Sequence, residues 1–590
     1  MLRVTCLGFS FVFLLCSLQA QSLPQEAEEN KDAVLLARIV DEFWQDAKKT
    51  GMYRDLIDSE PVNELPDISE NKAKAEAEFA RHIVQELRAV NLDKLNHQDW
   101  LTLRILNWET WRISEEAKYY WFFFQITPYI SPIPLATQVI SEQPLRSSAD
   151  LEHCLMLLGK YAEFIRNIDN NVHEQARRGI IVPKAELPIV MRFLSSLIEE
   201  PGKSSLLPEA RRFGPGITGE QTASFRQKAT WIIRTKINPA LTELKDYVAG
   251  DYAKKVPSDV GASQYPGGKE FYRYLVRIAT TLDLSPEEIH RIGLEEVQHT
   301  EEQMAAVRRE LRFKGTREEF HHYLKTEPRF FPKSPEDIEA RLNEYLNRVL
   351  RVVPKYFLHV PKAPYGIKRL PPGLEAGQTF GHYELPTATE PRGIYYYNGS
   401  HLNERSLLTA GALLLHELIP GHHLQANLQQ ENTALPAFRR SSIHLAYTEG
   451  WANYSSALGR EMGVYENFYD VYGMLMTDMR HSIRLVVDTG MNAMGWSRER
   501  AMAYMKEHGV DSEAQIESES LRYSVDVPAQ ALAYKLGSRK IWKLREEAQH
   551  QLGDKFDIRK FHDCFLGSGS MPLAILEKHI EWCMKQADSN

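Results

Sequence analysis

The chain has 590 residues, of which 43% are hydrophobic, with a formal net charge of −8 at pH 7 and a pI of about 6.2. This length and composition allow a large hydrophobic core and more than one lobe. The acidic balance argues against a nucleic-acid-binding protein, which needs a basic patch or stripe, and it fits an enzyme that acts on small or neutral substrates.

The first twenty residues have the pattern of a secretory signal peptide. Arg3 supplies a positive charge, residues 7–15 supply a short apolar core, and Ala20 is the expected last residue before cleavage. The apolar run is too short to span a membrane comfortably, so we predict a secreted or secretory-lumen protein without a stable membrane span. An uncleaved anchor is the alternative. A bacterial lipoprotein is disfavoured, because large residues precede Cys16 where small ones are expected.

Most of the mature chain is predicted to be helical. Apolar residues recur at three- and four-residue steps in segments 31–49, 72–92, 100–125, 150–179, 222–248, 285–312 and 335–352. The stretch 200–220 is rich in Pro and Gly, and we predict a hinge there between an N-terminal helical lobe (21–210) and a catalytic region with C-terminal helices (211–590). The run KYYWFFFQ at 118–125 is interpreted as core packing, because adjacent aromatic residues point to all sides of a helix.

Residues 354–400 differ from the rest, since they are rich in Pro, Gly and aromatic residues. Residues 394–397 are predicted to form a short strand. Zinc peptidases commonly place an edge strand beside the metal helix, where a substrate backbone can pair with it, and an ordinary structural hairpin is the equal alternative. A helix is predicted again from about Ser406, and it leads into His416.

The most informative segment reads GALLLHELIPGHHLQ. His416 and Glu417 close an apolar run, His422 and His423 follow, and Glu449 lies downstream in TEGWANY. Two imidazoles with a carboxylate are a standard ligand set for catalytic zinc, and a glutamate beside the first histidine is the usual base that activates water. Unrelated surface histidines, and a helix cap or ion pair at Glu449, are the alternatives.

The spacing of the histidines requires a break in the helix. On an ideal helix His422 would lie about 9 Å along the axis from His416, and His423 about 10.5 Å, whereas one zinc ion needs each ligand nitrogen at about 2.1 Å. Pro420 cannot donate to the carbonyl of His416, and Gly421 tolerates the turn that results. We therefore predict a bulge or kink that returns His422 or His423 to the side of His416.

Basic and aromatic residues further along the chain are candidates for supporting roles. His481, Arg484 and Asp488 share one predicted helical face. His481 or Tyr523 would stabilise the oxyanion, and Asp488 would orient His481 or pair with Arg484. The candidates for binding a substrate carboxylate are Arg484, Arg522 and Lys535. A buried ion pair is the alternative for each of them.

Three cysteines remain after the predicted cleavage, which excludes a disulfide scaffold. An oxidising compartment would permit a Cys564–Cys583 bridge and leave Cys154 buried and free.

Asn398 and Asn453 match the acceptor pattern for N-linked glycans. We discount Asn453, because it lies too close to Glu449.

HELIPGHHLQ followed by TEGWANY resembles the family known as domain of unknown function 885, which is grouped with zincin-like metallopeptidases. The resemblance covers most of the mature chain and includes RLVVDTGMNAMGW, ESLRYSVDVPAQALAYKLG and FHDCFLGSGSMPLAILE. The plan also resembles helical gluzincins such as thimet oligopeptidase, angiotensin-converting enzyme and the thermostable carboxypeptidases, which carry His-Glu-x-Gly-His and a downstream Glu. Aligning their Gly-His with Gly421–His422 implies His416, His422 and Glu449 as zinc ligands and Glu417 as the base. A two-residue insertion keeps His423 as an alternative ligand.

The helical pattern and the resemblance imply a mainly α fold, with two helical lobes around a deep channel and a zincin-like metal helix near a small β-sheet. They imply a zinc-dependent hydrolase of amide bonds in short peptides, in which Glu417 takes the proton of a zinc-bound water. A carboxypeptidase or dipeptidase preference is a weaker expectation. The alternatives are a metallohydrolase of non-peptide amides or esters and a catalytically silent secreted binding protein. The oligomeric state is left open.

Overall fold

The computed structural model describes residues 30–50, 63–371, 375, 381–387 and 390–588. The predicted signal peptide lies outside the described residues. Within them the chain is mainly helical, with a small three-stranded sheet. A search of the same residues finds no helix that is both long and apolar enough to cross a membrane.

All seven segments predicted to be helical contain helices, and side-chain caps define several of their starts. Capping boxes at Ser147 and Ser285 begin α5 and α10 by satisfying the first free backbone N–H groups. The first eight helices are α1 Lys31–Thr50, α2 Glu70–Leu87, α3 His97–Glu116, α4 Ile133–Ser141, α5 Ser148–Arg177, α6 Leu187–Leu197, α7 Gly219–Ile232 and α8 Asn238–Tyr247.

The remaining helices carry the candidate site. Before the sheet come α9 Gly268–Thr280, α10 Pro286–Glu310, α11 Arg317–Thr326 and α12 Pro335–Leu350. After it come α13 Ala410–Glu417, α14 His422–Glu431, α15 Ala437–Ser441, α16 Leu445–Glu461, α17 Phe468–Ala493, α18 Arg498–His508, α19 Glu513–Leu521, α20 Leu532–Leu552, α21 Ile558–Gly567 and α22 Leu573–Asp588.

The buried hydrophobic residues form separate cores that draw on different parts of the chain. One core is built mainly from residues 124–265, which include α4 to α8. A second core combines α1 to α3 with the C-terminal helices, and the ring of Phe43 in α1 packs edge-on against Phe438 at 5.9 Å. The stretch 200–220 connects α6 to α7, and the hinge between two lobes stays a prediction.

The small sheet has the strand order β1–β3–β2. The strands are β1 Tyr365–Arg369, β2 Gly381–Glu384 and β3 Gly393–Tyr397. The predicted strand at 394–397 is confirmed as β3, but it pairs with β1 in parallel and with β2 antiparallel. Because β3 is central, its backbone has no free edge for a substrate. Among the described strands, β1 and β2 lie at the two edges of the sheet.

Two helices of the site cross at a pair of glycines. A Cβ built on Gly537 of α20 would lie 2.0 Å from the carbonyl oxygen of Ala446 and 2.7 Å from the Cα of Gly450 in α16. No larger residue fits at this contact without moving the helices. The crossing brings the start of α20 beside Glu449, the neighbour of Gly450.

The predicted Cys564–Cys583 disulfide is present, and Cys154 is buried and free. Asn398 matches the glycan acceptor pattern, but its side chain is 1% exposed and its amide donates to the carbonyl of Glu375 at 2.7 Å. Asn453 is buried as well. Neither acceptor amide is accessible in the folded chain.

Candidate metal centre

The predicted break between the histidines is present. Helix α13 ends at Glu417 and α14 begins at His422, and the Ile419–Pro420 peptide bond is cis. Gly421 is required by close contact, since a Cβ there would lie 1.9 Å from the carbonyl oxygen of His416. The chain therefore doubles back on the last turn of α13.

Side chains of α16 hold the broken segment in place. The carbonyl of Pro420 accepts from the indole N–H of Trp451 at 2.8 Å and from the hydroxyl of Ser455 at 3.3 Å. The hydroxyl of Ser456 donates to the carbonyl of Ala412 in α13 at 2.7 Å. The helix that carries Glu449 thus bonds to the Pro420 carbonyl within the break and to the Ala412 carbonyl in α13.

His416, His422 and Glu449 converge on one point. Nε2 of His416 and Nε2 of His422 each lie 3.4 Å from Oε2 of Glu449, and one ligand atom from each residue lies within 4.8 Å of the others. The two rings are nearly perpendicular, with centroids 4.7 Å apart. The arrangement presents two imidazole nitrogens and one carboxylate oxygen to a common centre.

His423, the alternative ligand, faces the other way. Its Nδ1 lies 2.9 Å from the hydroxyl of Tyr383 in β2, and its Nε2 lies 3.1 Å from the carbonyl of Ala363. The side chain is fully buried and both of its nitrogens have partners. His423 therefore anchors α14 to the sheet, and His422 is the histidine that faces Glu449.

Two other groups of potential ligand residues occur among the described residues, and neither is comparable. Cys564 and Cys583 meet His579, but the two sulfurs are joined in a disulfide, so they offer no thiolate. The third group, Glu42, His82 and Glu86, lies towards the protein surface. The group around Glu449 combines partial burial with ligand atoms that are not tied up in a disulfide.

The electrostatics favour an ionised Glu449. Burial raises the pKa of this carboxyl, but the charges of His422 and His416 and their close polar contacts with the carboxylate together outweigh burial and hold the pKa well below its usual range. Burial lowers the pKa of His422, but the charges of Glu449 and Glu417, together with the close polar contact to Glu449, raise it above its usual value. The pKa of Glu417 is raised, chiefly by burial. A buried anion facing two imidazoles is a favourable environment for a cation.

His481 lies beside the metal centre, together with a tyrosine that the sequence analysis missed. The ring of Tyr534 stacks on that of His481 at 4.9 Å and lies 6.1 Å from that of His416. Nδ1 of His481 is buried without a hydrogen-bond partner. Burial, followed by the charge of Arg484, holds the pKa of His481 well below its usual value, so this imidazole is neutral.

The hydroxyl of Tyr523, a predicted oxyanion donor, is engaged by neighbouring side chains. Its hydroxyl donates to the carboxylate of Glu519 and accepts from Nε of Arg484 at 2.6 Å. Arg522 donates to Glu519 at 3.1 Å and to Gln530 at 2.9 Å. Two guanidinium groups therefore share one carboxylate, and the cluster keeps one excess positive charge.

The other two predicted side chains have partners of their own. Asp488 accepts from the hydroxyl of Tyr272 at 2.6 Å and from the backbone N–H of Ala529 at 3.0 Å, so it neither orients His481 nor pairs with Arg484. The ammonium of Lys535 donates to Asp478 at 2.8 Å and pairs with Glu296 at 3.2 Å. Asp488 therefore joins α17 to α9, and Lys535 is neutralised by two acids.

The candidate metal centre borders a cleft of about 240 Å³. His422 and Glu449 line it on one side, and Tyr383 of the edge strand β2 lines it on another. Leu445, one helical turn before Glu449 on α16, also borders the cleft. Two of the three donor residues, His422 and Glu449, therefore face this cleft.

Two solved structures and one family model are similar to the chain. The crystal structure of the "putative lipoprotein" from Colwellia psychrerythraea is 26% identical, with a TM-score of 0.84 over 94% of this chain and 99% of that chain. The "putative lipoprotein of unknown function" from Shewanella oneidensis is 18% identical, with a TM-score of 0.70 over 92% and 99%, and shares the fold. No curated protein matches the chain. A family model described as "Bacterial protein of unknown function (DUF885)" matches residues 46–580, and the chain therefore belongs to the DUF885 family.

Proposed function

We propose that this protein is a zinc-dependent hydrolase that cleaves amide bonds in short peptides. The observation that carries the proposal is the convergence of His416, His422 and Glu449, with Glu417 directly after the first ligand. Under this proposal, α13 and α14 together form a zincin-like metal helix that is interrupted at Pro420–Gly421. The cleft beside it is the inner part of a substrate channel.

The donor atoms suit zinc in type, charge and spacing. A tetrahedral site with bonds of about 2.1 Å places its ligand atoms roughly 3.4 Å apart, and both histidine nitrogens lie at that distance from Glu449. Oε2 of Glu449 is buried and has no hydrogen-bond partner, which a shared cation would supply. Glu417 and Glu449 together bring two negative charges that a divalent ion would neutralise.

The residues around the centre supply the remaining chemistry. A zinc ion held by these three ligands would acidify water and polarise a carbonyl group. The carboxylate of Glu417 takes a proton from the attacking water and returns it to the leaving nitrogen. Its partly buried position raises its pKa, which makes it a better proton acceptor.

Oxyanion stabilisation is assigned to Tyr534, with neutral His481 beside it. The phenol of Tyr534 stacks on the imidazoles of His416 and His481, and Gln530 donates to its oxygen at 3.3 Å, which leaves the phenolic proton free to donate. Tyr523 instead positions Arg484, whose guanidinium lies 4.8 Å from the ring of Tyr534.

A substrate carboxylate would be attracted to the cluster of Arg484 and Arg522, because one Glu519 leaves them with an excess positive charge. This supports a carboxypeptidase or dipeptidase preference. Lys535 does not add to that attraction, since Asp478 and Glu296 neutralise it. The free edge of β2 beside the cleft would pair with an extended substrate backbone.

We further propose that the protein acts outside the cytoplasm. The signal-like N-terminus supports this, and so does the Cys564–Cys583 disulfide, which persists in oxidising compartments. The names of the two similar structures describe lipoproteins, which agrees with an extracytoplasmic location.

Metal dependence provides the direct test. The purified protein is expected to contain about one zinc ion per chain, to lose hydrolysis of a mixed short-peptide library on chelation, and to regain it with added zinc. Mass spectrometry measures the zinc content, and chromatography of the peptide products measures hydrolysis before and after chelation. A protein that binds zinc but cleaves only acylated amines or esters would favour the non-peptide alternative, and one that cleaves nothing would favour a binding protein.

The assignment of Tyr534 predicts a difference between two tyrosines. Tyr534→Phe is expected to lower kcat by about 10²-fold, as loss of one oxyanion donor does, with the zinc content unchanged. Tyr523→Phe is the matched control and is expected to act mainly on KM, because its hydroxyl contacts Arg484 and Glu519. Steady-state kinetics on one tripeptide distinguish the two. A larger loss of kcat in Tyr523→Phe would reverse the assignment.

A further inference from the structure

A second cavity, of about 210 Å³, adjoins the proposed catalytic cleft. Its walls are mainly apolar and aromatic. They include Phe122–Phe124 from the run KYYWFFFQ, Phe271 and Leu275 from α9, and the segment Ser524–Pro528 that follows Tyr523. The aromatic run packs against the hydrophobic cores as predicted, residues 117–122 form a 3-10 helix, and Phe123 is extended. The three phenylalanines consequently reach the same cavity.

Two residues connect this cavity to the metal centre. Leu445 lines both the cavity and the cleft that contains His422 and Glu449, and it lies on the same face of α16 as Glu449. Gln530 lines the cavity and bonds to both Tyr534 and Arg522. The cavity is therefore adjacent to the groups proposed to act on the scissile bond.

The aromatic walls hold one another in position. The ring of Phe271 stacks on Phe122 at 4.6 Å and meets Phe123 edge-on at 5.5 Å. A rigid apolar cavity binds a matching group without a large ordering cost. An engineered cavity of about 150 Å³ holds benzene, so 210 Å³ accommodates one aromatic side chain. The carboxyl of Asp526 in the wall disfavours an acidic side chain.

We propose that this cavity is the specificity pocket of the enzyme and that it receives a large aromatic side chain of the peptide, on a residue next to the scissile bond. The inference rests on the proposed function for the position of the peptide. It adds a substrate class, namely peptides with Phe, Tyr or Trp beside the cleaved bond, and it assigns Ala279, Phe123 and Phe271 to substrate selection.

Binding and turnover test the proposal separately. Zinc-loaded Glu417→Gln is titrated calorimetrically with Ala-Phe-Ala, Ala-Ala-Ala, Ala-Lys-Ala and Ala-Glu-Ala. The Phe peptide is expected to bind at least about ten-fold more tightly than the Ala peptide. Equal affinities, a preference for Lys, or no binding of the Phe peptide would overturn the proposal. If the Phe peptide binds as expected but the wild-type protein hydrolyses none of the four, the proposed hydrolase function fails while the pocket stands.

Two variants of the wall make the test specific. Ala279 lines the cavity and is buried, so Ala279→Phe is expected to fill it, removing the advantage of the Phe peptide while affinity for the Ala peptide is kept. Phe123→Ala enlarges the cavity and is expected to favour Ala-Trp-Ala over Ala-Phe-Ala. If Ala279→Phe does not fold, the peptide preference of Phe123→Ala tests whether the cavity binds the aromatic side chain. An unchanged preference in Phe123→Ala would contradict the assignment of the wall.

Discussion

Replacing Glu417 by Gln is expected to abolish hydrolysis of short peptides while zinc stays bound. The amide keeps the size of the side chain but cannot accept the proton of the attacking water, and loss of a general base lowers kcat by roughly 10³-fold. The ligands His416, His422 and Glu449 are untouched. Stability is expected to change little, because burial already disfavours the charged form of Glu417. Zinc content, thermal unfolding and kcat on one tripeptide measure the three effects.

Glu507→Gln is the matched control for this variant. Glu507 lies on α18 with a side chain that is 66% exposed, and the same substitution there is expected to leave kcat and zinc content unchanged. Full activity in Glu417→Gln would refute the assigned base. Loss of zinc together with activity would mean that Glu417 supports the ligands and is not primarily a proton acceptor.

Gly421→Ala is expected to disrupt the metal centre itself. The added methyl group would lie 1.9 Å from the carbonyl oxygen of His416 and 2.4 Å from that of Leu415, and both are backbone atoms that cannot turn away. The chain must open at the break, which separates His422 from His416. We expect zinc affinity to fall by at least about 100-fold and unfolding free energy to fall by about 3 kcal/mol.

The same substitution at Gly159 provides the control. Gly159 lies inside α5, and a Cβ there meets nothing within 4 Å. Gly159→Ala is expected to stabilise the protein by about 0.5–1 kcal/mol, because alanine favours the helix. A competition titration measures the zinc affinity of the two variants, and denaturant unfolding measures their unfolding free energy. Wild-type zinc affinity in Gly421→Ala would show that the tight turn is not what brings the histidines together.

Features that depend on neighbours along the chain could be predicted from the sequence. The helices follow from apolar residues at three- and four-residue steps, and the seven predicted segments contain helices for that reason. The break at Pro420 follows from covalent chemistry, because a proline has no N–H to continue the helix. The same reasoning predicted that a histidine beyond the break would return to His416.

The tertiary structure decided whether His422 or His423 lies beside His416. Consecutive residues on a helix point about 100° apart, so His422 and His423 face different neighbours once α14 has docked. The docking is decided by α16 on one side and by Tyr383 and Ala363 on the other. No local pattern in the sequence contains that information.

The residues around the candidate metal centre also show which features depend on the tertiary structure. Tyr523 and Asp488 have the chemistry expected of a catalytic site, but their partners come from segments that meet them only in the folded chain. Tyr534 was missed because the Gly450–Gly537 crossing places it at the centre, and the two glycines are 87 residues apart in the chain.

By itself the amino-acid sequence determined the helical class, the donor set and the need for a break at Pro420, since all three arise from backbone periodicity and side-chain chemistry over a few residues. Only the tertiary structure decided the division of the cores, the central position of β3, the choice of His422 and the aromatic cavity. These depend on which surfaces pack together, and packing joins residues that are distant in the sequence.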